Sequence, residues 1–468
     1  MIMSEIGESS SRIKTETVVI GDASSRLSTA IFLLLCLVPV FTTILFGAVD
    51  SATWVILSIV WLTMVLLWLA EAWRGGGFLL DPSSLQLPVI GLILVGVVQL
   101  IPLGATHSVD PYATRFFVVR LVIYFVFFAA CLAFINNASR LRKAVLLTVI
   151  FGSLMAFFGI LQRLANPDGI YGMRGTPQAI PFGSFVNQHH FAAFMQMTGG
   201  ITLGLLFGKK TGRDKKILLA IAIVIMGVAA VLTSSRGGLL GFASVFAFVA
   251  LLSLLSGRWT GSKKHRSGSD ALSTMQRNIA VAAAGAALLI VVFGVVLLIG
   301  GNDALLRGIG VANDNTDISS GRAHFWPIAI QIFLEHPLLG AGFDSFGAAF
   351  TKFDTWNGAL RVEQAHNDYL QTLADSGIAG FICVAAFIYL LFRKGLYTIA
   401  GNGSGFRHDV AAGALAGCFG ILIHSFFDFP LRTPSNAFFF LMLCAIATVP
   451  IKEEGSVRTT RRRTAIEP

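Results

Sequence analysis

Apolar residues dominate this chain in runs, and most polar residues fall between the runs rather than inside them. Twelve runs approach the roughly 20 residues that a helix needs to cross a bilayer: 28–48, 53–73, 86–103, 115–136, 144–164, 189–208, 216–232, 237–256, 278–300, 377–392, 409–427 and 435–451. The pattern predicts an all-α polytopic membrane protein of about 12 transmembrane helices. The least distinct runs are the pair flanking Ser234 to Gly238 and the short tenth one. One long interval, 301–376, cannot span, because Arg322, His336, Asp344, Asp354, Arg361, Glu363 and His366 interrupt every apolar stretch within it. Two helices are predicted near its end. RAHFWPIAIQIFLEH begins at Arg322 with Pro327 in a first turn, where proline is tolerated. It is apolar on nearly every side, so it lies in the interface or packs over the mouth of the bundle. HNDYLQTLADSG follows, with Asn367 or Asp368 as its cap and Gly377 as the break before the tenth run.

Composition agrees with the pattern. Hydrophobic residues make up 55% of the 468 and charged residues 13%, against about a quarter charged in soluble domains, and the mean hydropathy is +0.74. A net charge of +10 raises the question of nucleic acid, but its placement answers no. With the first connection outside, and with Arg115, Arg163 and Lys216 at run ends counted with the adjoining connections, inside segments hold 25 Lys and Arg, outside segments hold 9, and Arg120 alone lies in the interior of a run. That skew is the one imposed by retention of basic segments on the cytoplasmic side, as in Lys209 to Lys216, Arg258 to Arg266 and Arg458 to Arg463. The chain therefore divides into a cytoplasmic tail over 1–27, a transmembrane domain over 28–451 that includes the outside loop 301–376, and a basic cytoplasmic tail over 452–468. The first run is too long for a signal peptide and reads as an uncleaved span. Cys36, Cys131, Cys383, Cys418 and Cys444 all fall in apolar runs without paired spacing and read as core residues.

The few polar residues on the outside carry the candidate chemistry. Arg236, in TSSRGG, is either an arginine snorkelling from a short turn or an anion contact beside hydroxyl donors, with Gly237 and Gly238 letting backbone approach a ligand. Arg322 puts a positive charge at the positive end of a helix dipole, which costs stability and suits a bound phosphate; the alternative is a surface pair with Asp317 or Asp344. His366 stands at the predicted mouth of the bundle with a side chain that exchanges protons near neutral pH. His189 and His190 open the sixth run, and Arg174 and Arg432 are weaker anion contacts, with Asp428 a simple partner for Arg432. Arg120 is costly unless partnered. The chain has no HExxH, Cys/His quartet or DxD, so no metal site is expected.

Three of these stretches, SSRGGLLGF, GRAHFWPIAIQIFLEHPLLGAGFDSF and HNDYLQTLADSGIAG, occur in order on the same predicted side. Together with the topology they resemble the O-antigen ligase family of bacterial inner-membrane glycosyltransferases, which also embraces O-antigen and exopolysaccharide polymerases. The resemblance includes the family's spacing of His366, Asn367, Gly377 and Gly380. It implies a C-type glycosyltransferase-like fold in the inner membrane, with both termini cytoplasmic and the long loop and active face periplasmic. It also implies metal-independent transfer, with inversion and without a cofactor, from a glycan carried on undecaprenyl diphosphate. By the family pattern His366 is the catalytic histidine and Arg236 and Arg322 bind the diphosphate. Arg174, His189, His190, Asn367 and Arg432 are further candidate substrate contacts.

The expected partners are the lipid-linked donor, membrane lipid and an acceptor sugar, with no nucleic acid. The acceptor is a glycan repeat unit for a polymerase or lipid A core for a ligase in surface polysaccharide assembly, and FGSFVNQHHFA is closer to the exopolysaccharide-type members. A transporter or flippase is the alternative from topology alone. Transporters, however, place ionisable groups near the midplane and show internal repeats, whereas here the polar groups gather at one face.

Overall fold

A computed structural model describes residues 25–102, 107–166, 169–176, 179–208, 211–259, 321–358, 361–402 and 405–451. The ninth predicted run, residues 301–320 of the long loop, most of the first predicted tail and all of the second lie outside the described residues. At the other eleven positions an apolar run carries a helix. In order these are α1 Arg26–Ile44, α2 Ser51–Gly75, α3 Gln86–Gln99, α4 Pro111–Phe134, α5 Ala138–Ala165, α6 Gln188–Leu206, α7 Arg213–Leu232 and α8 Arg236–Trp259. They continue in α9 Arg322–Glu335, α10 Phe346–Phe350, α11 Asp368–Gly401, α12 Phe406–His424 and α13 Pro434–Thr448, of which α9 and α10 belong to the long loop. A two-residue-strand hairpin, Gly169–Ile170 with Arg174–Gly175, lies between α5 and α6. Starts are fixed by side chains that accept otherwise orphaned N–H groups: Ser25 for α1, Asp110 for α4, Asn137 for α5, Asn187 for α6 and Asn367 for α11.

Seven of these helices are long and apolar enough to cross a membrane, and α3, α13 and residues 236–252 of α8 are shorter apolar helices. The protein is a mostly helical multi-pass membrane protein. Leu62, Leu66 and Trp73 of α2 point outward, as lipid contact requires. The helix α6 is more polar, with two histidines and two glutamines, yet nearly all its residues are buried, so it is a central helix shielded from lipid by its neighbours. Against α12 it packs backbone to backbone. A Cβ on Gly200 would lie 2.5 Å from the Gly417 nitrogen, and one on Gly204 would lie 2.4 Å from the Asp409 carbonyl oxygen. Small residues permit this approach where lipid supplies no hydrophobic drive between helices. Gly204→Val is therefore expected to cost at least about 1–3 kcal/mol through overpacking, seen as a lower melting temperature and loss of the monodisperse peak in detergent. An unchanged melting temperature would mean that the crossing opens without penalty.

The predicted break at Gly377 is real: inside α11 this residue takes φ 60° and ψ −162°. The polar backbone groups freed or exposed there are paired with residues 337–342. Ile378 and Ala379 donate to the Pro337 and Leu338 carbonyls, and Ala341 and Gly342 donate to the Ala374 and Asp375 carbonyls. Irregular backbone at membrane depth survives when protein satisfies it in this way. Gln99 of α3 reinforces the site by donating to the Leu339 and Asp375 carbonyls and accepting from Phe343 N–H. The tenth predicted run is not short, because α11 continues through Arg393 and Lys394 to Gly401.

Over this end of the bundle, α9 and α10 form a small second core of Phe325, Ile328, Ile332, Phe346 and Phe350. The opposite face of α9 exposes Ile330 and Leu334, so the helix both packs over the mouth and presents an apolar face outward. Pro327 lies inside α9, one turn beyond its start, not in the first turn as predicted.

Candidate functional site

The segment 425–433, which joins α12 to α13, gathers most of the candidate residues. Its first half meets the start of α8. Ser234 takes a left-handed backbone, φ 54°, and Ser235 Oγ accepts from Gly238 N–H at 3.0 Å, capping the helix that Arg236 begins. A Cβ on Gly237 would lie 2.8 Å from His424 Cδ2 and 3.0 Å from Phe427 Cβ, and one on Gly238 would lie 2.6 Å from Ala192 Cβ. These glycines therefore bring α8 against protein, not against a ligand as the sequence suggested. The arginine beside them is held at the edge of the same junction, where it is half-buried.

Arg322 approaches from the other side. From the first position of α9 its Nε and Nη2 donate to the Phe427 carbonyl at 2.9 and 2.6 Å. The acidic partner offered by the sequence, Asp344, is instead engaged by Arg120 at 3.5 Å and Arg432 at 3.4 Å; Asp317 lies outside the described residues.

His366 also takes a left-handed backbone, φ 53°, just before Asn367 caps α11. Its ring sits between Phe325, centroids 5.9 Å apart, and Phe429 at 4.8 Å. Its Nδ1 is 3.3 Å from Asp428 Oδ1. A carboxylate at that distance selects the Nδ1–H tautomer and leaves the Nε2 lone pair for another proton. Asp428 is 1% exposed. Burial alone would raise its pKa, but neighbouring His189 and the hydrogen bond to His366 hold the carboxyl well below its usual range. His189, capped at its own N–H by Asn187, places Nδ1 3.9 Å from Asp428 Oδ2. Arg322, His366 and Arg236 all lie within electrostatic reach of it.

The remaining candidates have other duties. His190 points inward: its Nδ1 is 2.6 Å from Thr433 Oγ1 and its ring packs on Phe429 at 4.9 Å. Arg174 is tied to Asp50 through both guanidinium nitrogens and lies over the Phe46 ring, bracing the hairpin against the α1–α2 connection. Asn367 is buried and spends its carbonyl on the N–H groups of Tyr369 and Leu370.

Arg432 does not pair with Asp428. It is 2.6 Å from Asp375, 3.4 Å from Asp344 and 3.9 Å from Asp368. Burial opposes its charge, but these carboxylates raise its pKa above the ordinary value. Arg120, predicted to need a partner, is paired with Asp344 and lies over Trp54 at 5.1 Å. Two guanidiniums and three carboxylates thus lash the long loop and the 425–433 segment to α4 and α11.

Beside the cationic junction runs a mostly apolar groove of about 660 Å³, lined by Leu240, Ala243, Ser244 and Ala247 of α8, Trp326 of α9, Ile423, Phe426 and Phe427, and the candidate contact Asn367. Leu240, Ala243, Ser244 and Ala247 follow Arg236 at helical spacing, so the arginine stands at the head of the stripe that floors the groove. The eleven helical steps from Arg236 to Ala247 make this stripe about 16 Å long. The arrangement provides fixed positive charge, one half-exposed imidazole oriented by a buried carboxylate, and an adjoining trough for an apolar chain. Among the described residues no group of three or more His, Cys, Asp or Glu side chains is arranged to hold a metal ion.

Sequence reasoning missed Asp428 as the partner of His366. Its spacing from Arg432 suggested a local pair, and no local signal links it to a histidine in another connection. Comparison with known proteins gives one family. Residues 221–385 match the model described as O-antigen ligase, a span that runs from α7 into α11 and includes Arg236, Arg322 and His366. No curated protein matches the chain.

Proposed function

We propose, from the O-antigen ligase domain carried by residues 221–385, that the protein transfers a glycan from a polyprenyl diphosphate to an acceptor sugar hydroxyl at the periplasmic face of the bacterial inner membrane. The acceptor oxygen attacks the anomeric carbon from the side opposite the diphosphate, which inverts that centre. Its proton passes to Nε2 of His366, whose Nδ1–H is directed at Asp428; this is general-base catalysis by an imidazole held in one tautomer. The C–O bond to the diphosphate breaks with its electron pair on the departing oxygen. Arg236 and Arg322 receive that charge with guanidiniums that stay protonated at any working pH, so the leaving group is stabilised electrostatically and without a metal. The polyprenyl chain lies in the groove along α8.

The observation that carries this reading is the junction itself: an arginine at the head of α8, another held on the Phe427 carbonyl and a histidine on Asp428, beside an apolar trough. The test is reconstitution of the purified protein in liposomes with an undecaprenyl-diphosphate-linked glycan and acceptor, in the presence of chelator. Expected products are the extended acceptor, inverted at the new linkage, and free undecaprenyl diphosphate. No transfer, or transfer that chelator stops, would contradict the mechanism.

The acceptor separates two members of the same class, and the FGSFVNQHHFA segment favours another repeat unit, hence polymerisation of O-antigen or exopolysaccharide. A deletion strain then shows single repeats on core or lost exopolysaccharide. Bare core with long polymer left on the carrier lipid would instead identify a ligase.

A further inference from the structure

Asn367 is 6% exposed, yet only one end of its amide is occupied. Oδ1 accepts from Tyr369 N–H at 3.0 Å and from Leu370 N–H at 3.1 Å, and because an amide nitrogen cannot accept, these two bonds fix which end is which. Nδ2, with two hydrogens to give, has no partner among the described residues. The side chain lines the groove beside the cationic junction, and the other side-chain nitrogen there, Nε1 of Trp326, is unpartnered too. Indoles without partners also occur on α2, at Trp54, Trp61 and Trp68, so the amide is the decisive donor and Trp326 counts for its place in the groove.

A buried donor left unpaired costs free energy, and native structures keep few of them without a reason. A polyprenyl chain has no oxygen to offer. The stripe from Leu240 to Ala247 runs inward along α8, whereas Asn367 caps α11 and Trp326 belongs to the helix over the mouth, so the outer end of the groove suits another part of the donor. Asn367 comes directly after His366. Trp326 stands four residues after Arg322, one turn on along the same face of α9, and Arg322 itself is held on the carbonyl of Phe427, another lining residue. In the proposed transfer the base and the diphosphate act on opposite sides of one carbon, and the group between them is the sugar that carries it. Neutral donors match its hydroxyl oxygens, where a phosphate would call for cations. The indole face adds an apolar surface for the C–H groups of a pyranose. We infer that Trp326 and Asn367 form the subsite for the first sugar of the donor, the one joined to the diphosphate, and so help select which glycan is transferred. This inference rests on the proposed glycan transfer and adds a sugar contact to it.

The test compares the binding of two ligands, undecaprenyl diphosphate alone and the same carrier bearing glycan, to the purified native protein, Asn367→Ser and Trp326→Phe. Serine still offers a capping oxygen to α11 but withdraws the amide, and phenylalanine keeps an aromatic ring without the N–H. The native protein should bind the glycan-bearing carrier more tightly than the bare one. Each variant should lose roughly 3- to 10-fold of its affinity for the glycan-bearing carrier, the range for a neutral hydrogen bond, and should bind the bare carrier as the native protein does. A monodisperse peak in detergent shows that a variant is folded; should Asn367→Ser fail that check, Trp326→Phe, which touches no cap, decides alone. Equal losses for both ligands in a folded variant mean a contact to phosphate or lipid and overturn the inference, as does unchanged binding of the glycan-bearing carrier. Native protein that binds neither ligand overturns instead the reading on which it rests.

Discussion

His366→Ala is expected to abolish glycan transfer while leaving the amount of protein in the membrane unchanged. Loss of a general base costs about 100- to 10,000-fold in rate, and here the alanine also leaves Asp428 without its closest imidazole. The effect should fall on kcat rather than on donor affinity, because the proposed anion contacts belong to Arg236 and Arg322. The side chain is partly exposed at the mouth, between Phe325 and Phe429, so the bundle beneath it keeps its packing. Quantitative blotting of membranes beside a transfer assay checks both halves. Near-normal product from the variant would remove the histidine from the mechanism.

Arg432→Met is expected to act on folding. Asp375 is fully buried with one oxygen on this guanidinium, and Asp344 and Asp368 lie on its other nitrogens. Removing the cation strands buried carboxylates, and breaking a buried pair typically costs about 3–5 kcal/mol. The expected result is a large fall in melting temperature and in the yield of folded protein, with activity lost in proportion to yield. Adding Asp375→Asn should recover part of the loss, since a neutral amide tolerates burial better than an unpaired carboxylate. A single variant of native stability that loses activity alone would return Arg432 to the list of substrate contacts.

The sequence made the helices legible because lipid requires long apolar runs, and every described run became a helix near its expected position. It also marked the long loop, the break at Gly377 and the cap at Asn367, which depend on residues close in the chain. Arg236, Arg322 and His366 stood out because charge is scarce in so apolar a chain. What escaped was pairing at long range. Asp428 serves His366 from a different connection, and Arg432 reaches Asp375 and Asp344 across the fold, while the nearby acid that spacing suggested is turned away. Gly237 was misread for a related reason: a glycine in a polar turn resembles a ligand loop until His424 and Phe427 are found against it. Pro327 falls inside α9 because that helix begins at Arg322, and packing on Phe346 and Phe350 holds the element despite the missing N–H.

The central claim is that two arginines, from α8 and α9, grip one lipid diphosphate while the histidine does chemistry beside them. Binding of undecaprenyl diphosphate to the purified protein and to Arg236→Ala, Arg322→Ala and His366→Ala separates those roles. Each arginine variant should bind at least about 10-fold more weakly, the loss of a charge-assisted contact of roughly 1.5–3 kcal/mol, while His366→Ala binds as the native protein does. Native affinity in both arginine variants would contradict the account.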